Sequence, residues 1–204
     1  HLSLRRQRQM CIRDRRKLGA REIMAHLGMP RWKLPMVART FMGLMKKHQS
    51  AIPLFDNIAQ TLSHLDEKGL ILAVVSSNSR ESITHILGAS CRHIRALECG
   101  VSIFGKASRL RRVMRRFDVE REQVIYIGDQ PMDGEAAATA GIAFGAVAWG
   151  YGAYDAFHRL QPQEWFADVS EFGGYARNRL GGGCAARGLC QLRRLGWVQG
   201  SAPG

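Results

Sequence analysis

A chain of 204 residues, 46% hydrophobic and 23% charged, has material for one well-buried core and a small appendage. Its formal charge of +13 invites a nucleic-acid partner, but that charge belongs to the ends: residues 1–50 hold 13 Lys and Arg against 2 Asp and Glu, residues 173–204 hold 5 against none, and residues 51–172 hold 12 against 15. Five scattered cysteines argue against a disulfide framework and for a reducing compartment, and Cys184 and Cys190 lack the histidines that would make them a zinc site.

The first 16 residues include a basic string, Arg5 to Arg16, without helical or strand periodicity; it reads either as non-native translated sequence or as a basic disordered arm. No apolar stretch has the length of a signal peptide or a membrane span, so no membrane partner is expected, and it is the cysteine usage that points to a cytoplasmic location. Residues 17–50 turn helical. Arg21 to Leu27 is amphipathic and is closed by Gly28 and Pro30, and Leu34 to Lys47 offers Met36, Val37, Phe41, Leu44 and Met45 as an apolar face.

From residue 51 the pattern alternates. A helix over Asn57 to Lys68, stopped by Gly69, leads into the unbroken apolar run Leu70 to Ser76, the kind of strand a parallel sheet buries on both faces. A helix over Arg80 to Leu87, a weak strand near Ile94 to Leu97 and a helix over Ala107 to Phe117 come next. A strand over Val124 to Ile127, a helix over Met132 to Ala140 and a strand over Ile142 to Ala148 complete the alternation. A last helix is expected over Asp155 to Leu160. The whole predicts an α/β fold with a Rossmann-like, doubly wound parallel sheet over 51–172, whose ligands sit at the carboxyl ends of the strands. From Gly173 the chain is rich in Gly and Arg without a sustained period, and residues 173–204 read as a flexible tail.

Three of those strand and helix ends carry chemistry. Ser76, Ser77 and Asn78 end a buried strand, where hydroxyls and free backbone N–H groups can hold a phosphoryl oxygen. Simple turn and N-cap chemistry is the plainer use of the same residues. Lys106 opens a basic helix and could neutralise a phosphate facing a carboxylate, although a lysine is usually a solvated surface charge. Arg109, Arg111, Arg112, Arg115 and Arg116 on that helix lack the interleaved aromatics of a nucleic-acid surface. Asp129 follows the apolar strand, and Asp133 returns from the first turn of the next helix. Such a carboxylate pair suits magnesium, which keeps several waters and takes phosphate oxygens; capping of the helix is the alternative.

The order and spacing of Ser76-Ser77-Asn78, Lys106 in Phe104-Gly105-Lys106, and Asp129 with Asp133 in Gly128-Asp129-Gln130-Pro131-Met132-Asp133 resemble motifs II, III and IV of the haloacid dehalogenase-like hydrolases. The resemblance spans roughly residues 17–172 and is nearest the phosphoglycolate-phosphatase-like branch. It implies that residues 17–50 are the remnant of a small helical cap. It also implies that Ser76, Ser77 and Asn78 bind substrate phosphate, that Lys106 stabilises charge, and that Asp129 and Asp133 hold Mg2+. The reaction implied is hydrolysis of a small phosphorylated metabolite through an aspartyl-phosphate, the work of a phosphoric monoester hydrolase, with no nucleic-acid partner.

The family's first motif, Asp-x-Asp-Gly-Thr/Val, occurs nowhere in the 204 residues. Since that motif supplies the nucleophile and the acid–base carboxylate, the resemblance implies an inactive chain as given, N-terminally truncated relative to a working enzyme. A non-catalytic phosphate-binding or regulatory protein is the alternative. The motif also sits on the family's central strand, so the strands ending at Ser76 and Ile127 are expected to lack a common neighbour.

Overall fold

The computed structural model describes residues 54–100, 105–150 and 160–180 continuously, with residues 28, 30–33, 36, 39–40, 43, 157 and 189–190. The elements, in chain order, are α1 (Ile58–Glu67), β1 (Leu72–Val75), α2 (Arg80–Leu87), β2 (Ile94–Glu98), α3 (Lys106–Phe117), β3 (Ile125–Gly128), α4 (Pro131–Ala140), β4 (Ala143–Val147), β5 (Glu164–Phe166), α5 (Glu171–Leu180) and β6 (Leu189–Cys190). Most of the expected helix over Asp155 to Leu160, the helix expected over Arg21 to Leu27 and the first 16 residues lie outside the described residues, while Met36, Arg39, Thr40 and Gly43 of the helix expected over Leu34 to Lys47 are helical where described.

Among the described residues, every strand pairing is parallel. β1 pairs with β2, and β3 lies between β4 and β6, with β5 beyond β4. The two-residue period of the strands sorts the core into two halves. Ala73, Val75, Tyr126, Phe144 and Ala146 face α3 and α4, meeting Leu110, Val113 and Ala137. Leu72, Val74, Ile125, Ile127 and Val147 face the other way, toward α1, α2 and α5, meeting Ile58, Leu62, Ile83 and Phe172. The unbroken apolar runs thus correspond to strands covered on both faces, as the doubly wound reading requires. Among the described residues, no helix is long and apolar enough to cross a membrane.

Local signals set the helix ends. Ser79 caps α2 by accepting the Ser82 N–H (3.1 Å), and Pro131 occupies the first turn of α4, where its missing N–H costs nothing. Asp118 closes α3 at φ 51°, a left-handed position that Asp tolerates better than most residues.

The C-terminal segment departs from the sequence reading. The boundary at residue 173, where a tail is expected, falls inside α5, and β6 lies farther along the same segment. Phe172 and Tyr175 tie α5 to the aromatic face of Phe166, with centroids at 4.7 and 5.7 Å, and Gly173 and Gly174 between them blur any helical period. The expected gap between β1 and β3 is also corrected. β6 pairs with β3 in the register Tyr126↔Leu189 and Ile127↔Cys190 and lies against β1, so the two strands do share a neighbour.

Candidate functional site

Ser76 directly follows β1 and Asp129 directly follows β3, each at the carboxyl end of a buried strand. At the end of β1 the Ser76 N–H donates to the Glu98 carbonyl (2.9 Å), continuing the pairing with β2 for one residue. The chain then bends. The Asn78 N–H donates to Ser76 Oγ (3.2 Å), and the Gly100 N–H donates to the Asn78 carbonyl (2.7 Å). Ser76 and Asn78 are both buried, and the helix cap falls to Ser79. The plainer reading of this turn therefore accounts for the Ser76 oxygen as an acceptor.

The Lys106 side chain is completely buried at the start of α3. A lysine there would normally reach solvent, and burying its ammonium costs several kcal/mol, on the order of the cost for any lone ion, unless a counter-charge meets it. Lys106 Nζ donates to Asp133 Oδ1. Asp133 is equally buried and sits at the third position of α4, where its Oδ2 accepts the Gln130 N–H (3.2 Å) in a capping box. The carboxylate thus does two things at once: it closes the first turn of α4 and holds the ammonium. Of the two alternatives weighed for Asp133, the cap is the one its hydrogen bonds show.

Asp129, 3% exposed, follows β3 directly. Two glycines make its surroundings possible. A Cβ on Gly128 would lie 2.5 Å from the Asp133 Cβ, and a Cβ on Gly150 would lie 2.1 Å from the Asp129 Cβ. No side chain fits at either place, so the backbone after β4 closes down directly on the Asp129 carboxylate stem. Gly150 is a site residue that the motif spacing does not reveal. Its signal in the sequence is a glycine just beyond the buried strand β4, whereas Gly128 is itself the last residue of β3. Among the described residues there is no group of three or more His, Cys, Asp or Glu side chains able to hold a metal ion by themselves.

The structure therefore brings Lys106, Asp133 and Asp129 to one buried corner between α3, β3 and α4. Ser76, Ser77 and Asn78 stand separately, at the end of β1, a strand that β6 lies against. A fixed cation beside two carboxylates can receive an anion together with a divalent cation.

Comparison with known proteins identifies the family. Residues 3–147 match the model of the haloacid dehalogenase-like hydrolase family. A phosphoglycolate phosphatase of Synechococcus elongatus is 29% identical over 140 residues, 67% of this chain and 65% of that protein, so the chain spans just under two thirds of that relative's length. A predicted phosphoglycolate phosphatase from Haemophilus somnus superposes with a TM-score of 0.54 at 24% identity, over 60% of this chain and 56% of that one. The Protein Tyrosine Kinase A of Mycobacterium tuberculosis superposes with a TM-score of 0.57 at 23% identity, over 76% and 74%. The two structures speak for the fold alone, and one of them carries the name of a kinase. The family match extends across α1 to β4 and takes in Ser76, Lys106, Asp129 and Asp133, and the chain belongs to the haloacid dehalogenase-like hydrolases.

Proposed function

We propose that this chain carries the magnesium- and phosphate-binding half of a phosphatase for a small phosphate monoester of the phosphoglycolate type, and that it binds without turning over as it stands. The observation that carries the reading is the buried Lys106–Asp133 pair beside Asp129. An ion pair with both side chains fully buried is a poor stabiliser for its cost, so a site for a charged ligand is the better reason for keeping one there.

The residues fit magnesium, which needs only one or two protein carboxylates when waters and phosphate oxygens complete its shell. Asp129 is the carboxylate for direct coordination, in the cradle that Gly150 leaves open. Asp133, with one oxygen on Lys106 and the other on the Gln130 N–H, orients the ammonium and approaches the ion as a second carboxylate. Bound there, the ion would neutralise phosphate oxygens. Lys106 offers a fixed positive charge to the phosphate, and the turn from Ser76 to Asn78 offers N–H and hydroxyl groups to its remaining oxygens. The 204 residues contain no Asp-x-Asp-Gly motif to attack phosphorus and to manage the leaving group's proton, which is why binding is expected and turnover is not.

A second reading, a non-catalytic phosphate-binding protein, is favoured by one specific observation. β6 stands between β1 and β3, and its residues Leu189 and Cys190 bring no carboxylate there. One titration tests the shared part of both readings. Magnesium binding to the full chain should strengthen when inorganic phosphate is present and should be lost in Asp129→Asn. Equal magnesium binding by the wild type and Asp129→Asn would overturn it. Hydrolysis of p-nitrophenyl phosphate by the same preparation would separate the enzyme from the binder.

A further inference from the structure

We infer that Glu98 and Arg109 form a positioning pair, a strut that locks the turn after β1 to the helix carrying Lys106. The inference rests on the phosphate-binding reading above and adds what holds the two parts of that site in a fixed relation.

The end of β2 meets three other segments. The Leu97 carbonyl accepts from Arg80 Nη2 at the start of α2 (2.6 Å). The Glu98 carbonyl accepts the Ser76 N–H (2.9 Å), and just beyond it the Gly100 N–H donates to the Asn78 carbonyl (2.7 Å). The Glu98 side chain turns elsewhere, and its Oε2 accepts from Arg109 Nη1 on α3 (2.8 Å). One residue therefore grips the Ser76 turn with its main chain and α3 with its carboxylate.

Arg109 stands three residues after Lys106, about one turn farther along α3 and on an adjoining face. Because Lys106 is bound to Asp133 in the first turn of α4, successive turns of α3 are anchored to α4 and to β2. A helix is stiff over one turn. The Ser76 turn can then shift relative to Lys106 only by breaking the Ser76–Glu98 bond or the Glu98–Arg109 pair. The side chains of Arg109 and Glu98 are 36% and 16% exposed, and an ion pair that water can reach contributes little to stability, so its loss should leave the fold standing. What the pair supplies is preorganisation: the turn's donors and the Lys106 ammonium keep their spacing before an anion arrives, and binding does not have to order them. Neither Glu98 nor Arg109 touches the anion in this scheme; both act through Ser76 and Lys106.

The test uses the full chain and amide hydrogen exchange followed by NMR. Arg109→Gln and Glu98→Ala should each speed exchange of the Ser76 amide about tenfold, and the double variant should add nothing, since each change breaks the same strut. Arg109→Lys, which keeps the charge, should restore most of the protection. Amides of the β3–β4 ladder should exchange as in the wild type. Unchanged Ser76 exchange would overturn the inference, and so would equal acceleration of every amide, the mark of a purely structural role. Titration with inorganic phosphate in the presence of magnesium reads the ligand side. Affinity should fall about fivefold in Arg109→Gln and recover in Arg109→Lys. Faster Ser76 exchange with unaltered phosphate affinity would also overturn the inference. A wild type that binds no phosphate would sink the phosphate reading instead, and the strut would stand or fall on Ser76 exchange.

Discussion

Two carboxylates illustrate what burial does to the same chemistry. Asp133 meets Lys106 with both side chains at 0% exposure, inside the corner formed by α3 and α4. Asp66, at the end of α1, accepts from Arg95 Nη2 (2.9 Å) and shares a 2.9 Å hydrogen bond with His93 Nδ1, at a surface where the Arg95 side chain is 55% exposed. The surface cluster can be dismantled and replaced by water. The buried pair cannot, since either partner left alone is an ion in the core. The lesson is that the buried pair holds the molecule hostage without being its main source of stability.

The largest effect should come from separating the buried pair. Asp133→Ala leaves Lys106 without its carboxylate and removes the cap of α4, and about 3–5 kcal/mol of unfolding free energy should disappear in urea denaturation. The double variant Lys106→Met with Asp133→Leu should recover most of that loss, because an apolar pair of similar volume no longer carries the desolvation penalty. It should at the same time bind neither magnesium nor phosphate. A double variant as unstable as the single one would mean that the pair is itself a stabiliser, and the contrast with Asp66 would collapse.

The next effect sharpens the comparison at the level of backbone. Gly150→Ala drives a methyl to within 2.1 Å of the Asp129 Cβ, so the loop or the carboxylate must move; overpacking of this kind costs about 1–3 kcal/mol. Magnesium binding should weaken with it. Gly174→Ala, in α5 with nothing within 4 Å of the new methyl, should instead stabilise by about 0.5–1 kcal/mol. Thermal unfolding of the two variants should therefore shift in opposite directions, and a shared direction would remove Gly150 from the site.

Much of this is legible in the sequence where the signal is local. The span of α2 over Arg80–Leu87 is legible from its apolar period, though its cap is Ser79 rather than the Ser76-Ser77-Asn78 run, and the apolar runs of β1, β3 and β4 announce strands covered on both faces. The burial of Lys106 is not legible from its surroundings, because its partner lies 27 residues away and only the packing of α3 on α4 joins them. Gly150 escapes the sequence for the same reason: what makes it necessary is the Asp129 side chain, which the chain brings back only through β3 and β4. β6 carries no pattern that two residues could show, and it exists because β1 and β3 leave a buried space beside them.

The smallest effect concerns acid. The hydrogen bond from His93, together with the charge and hydrogen bond of Arg95, holds the Asp66 carboxyl below its usual value of 3.8 against an opposing contribution from partial burial. A carboxyl depressed in the folded state adds stability above its unfolded value, and that stability is lost as pH falls through the folded value. Asp66→Asn should therefore cost little near neutrality, roughly 0–1 kcal/mol as for other surface ion pairs, and should cost nothing at a pH well below 3.8, where the wild-type carboxyl is protonated too. The two unfolding curves, plotted against pH, should converge on the acid side. A difference that persisted into strong acid would show that Asp66 acts through packing or neutral hydrogen bonds, and that the surface cluster is less dispensable than its exposure implies.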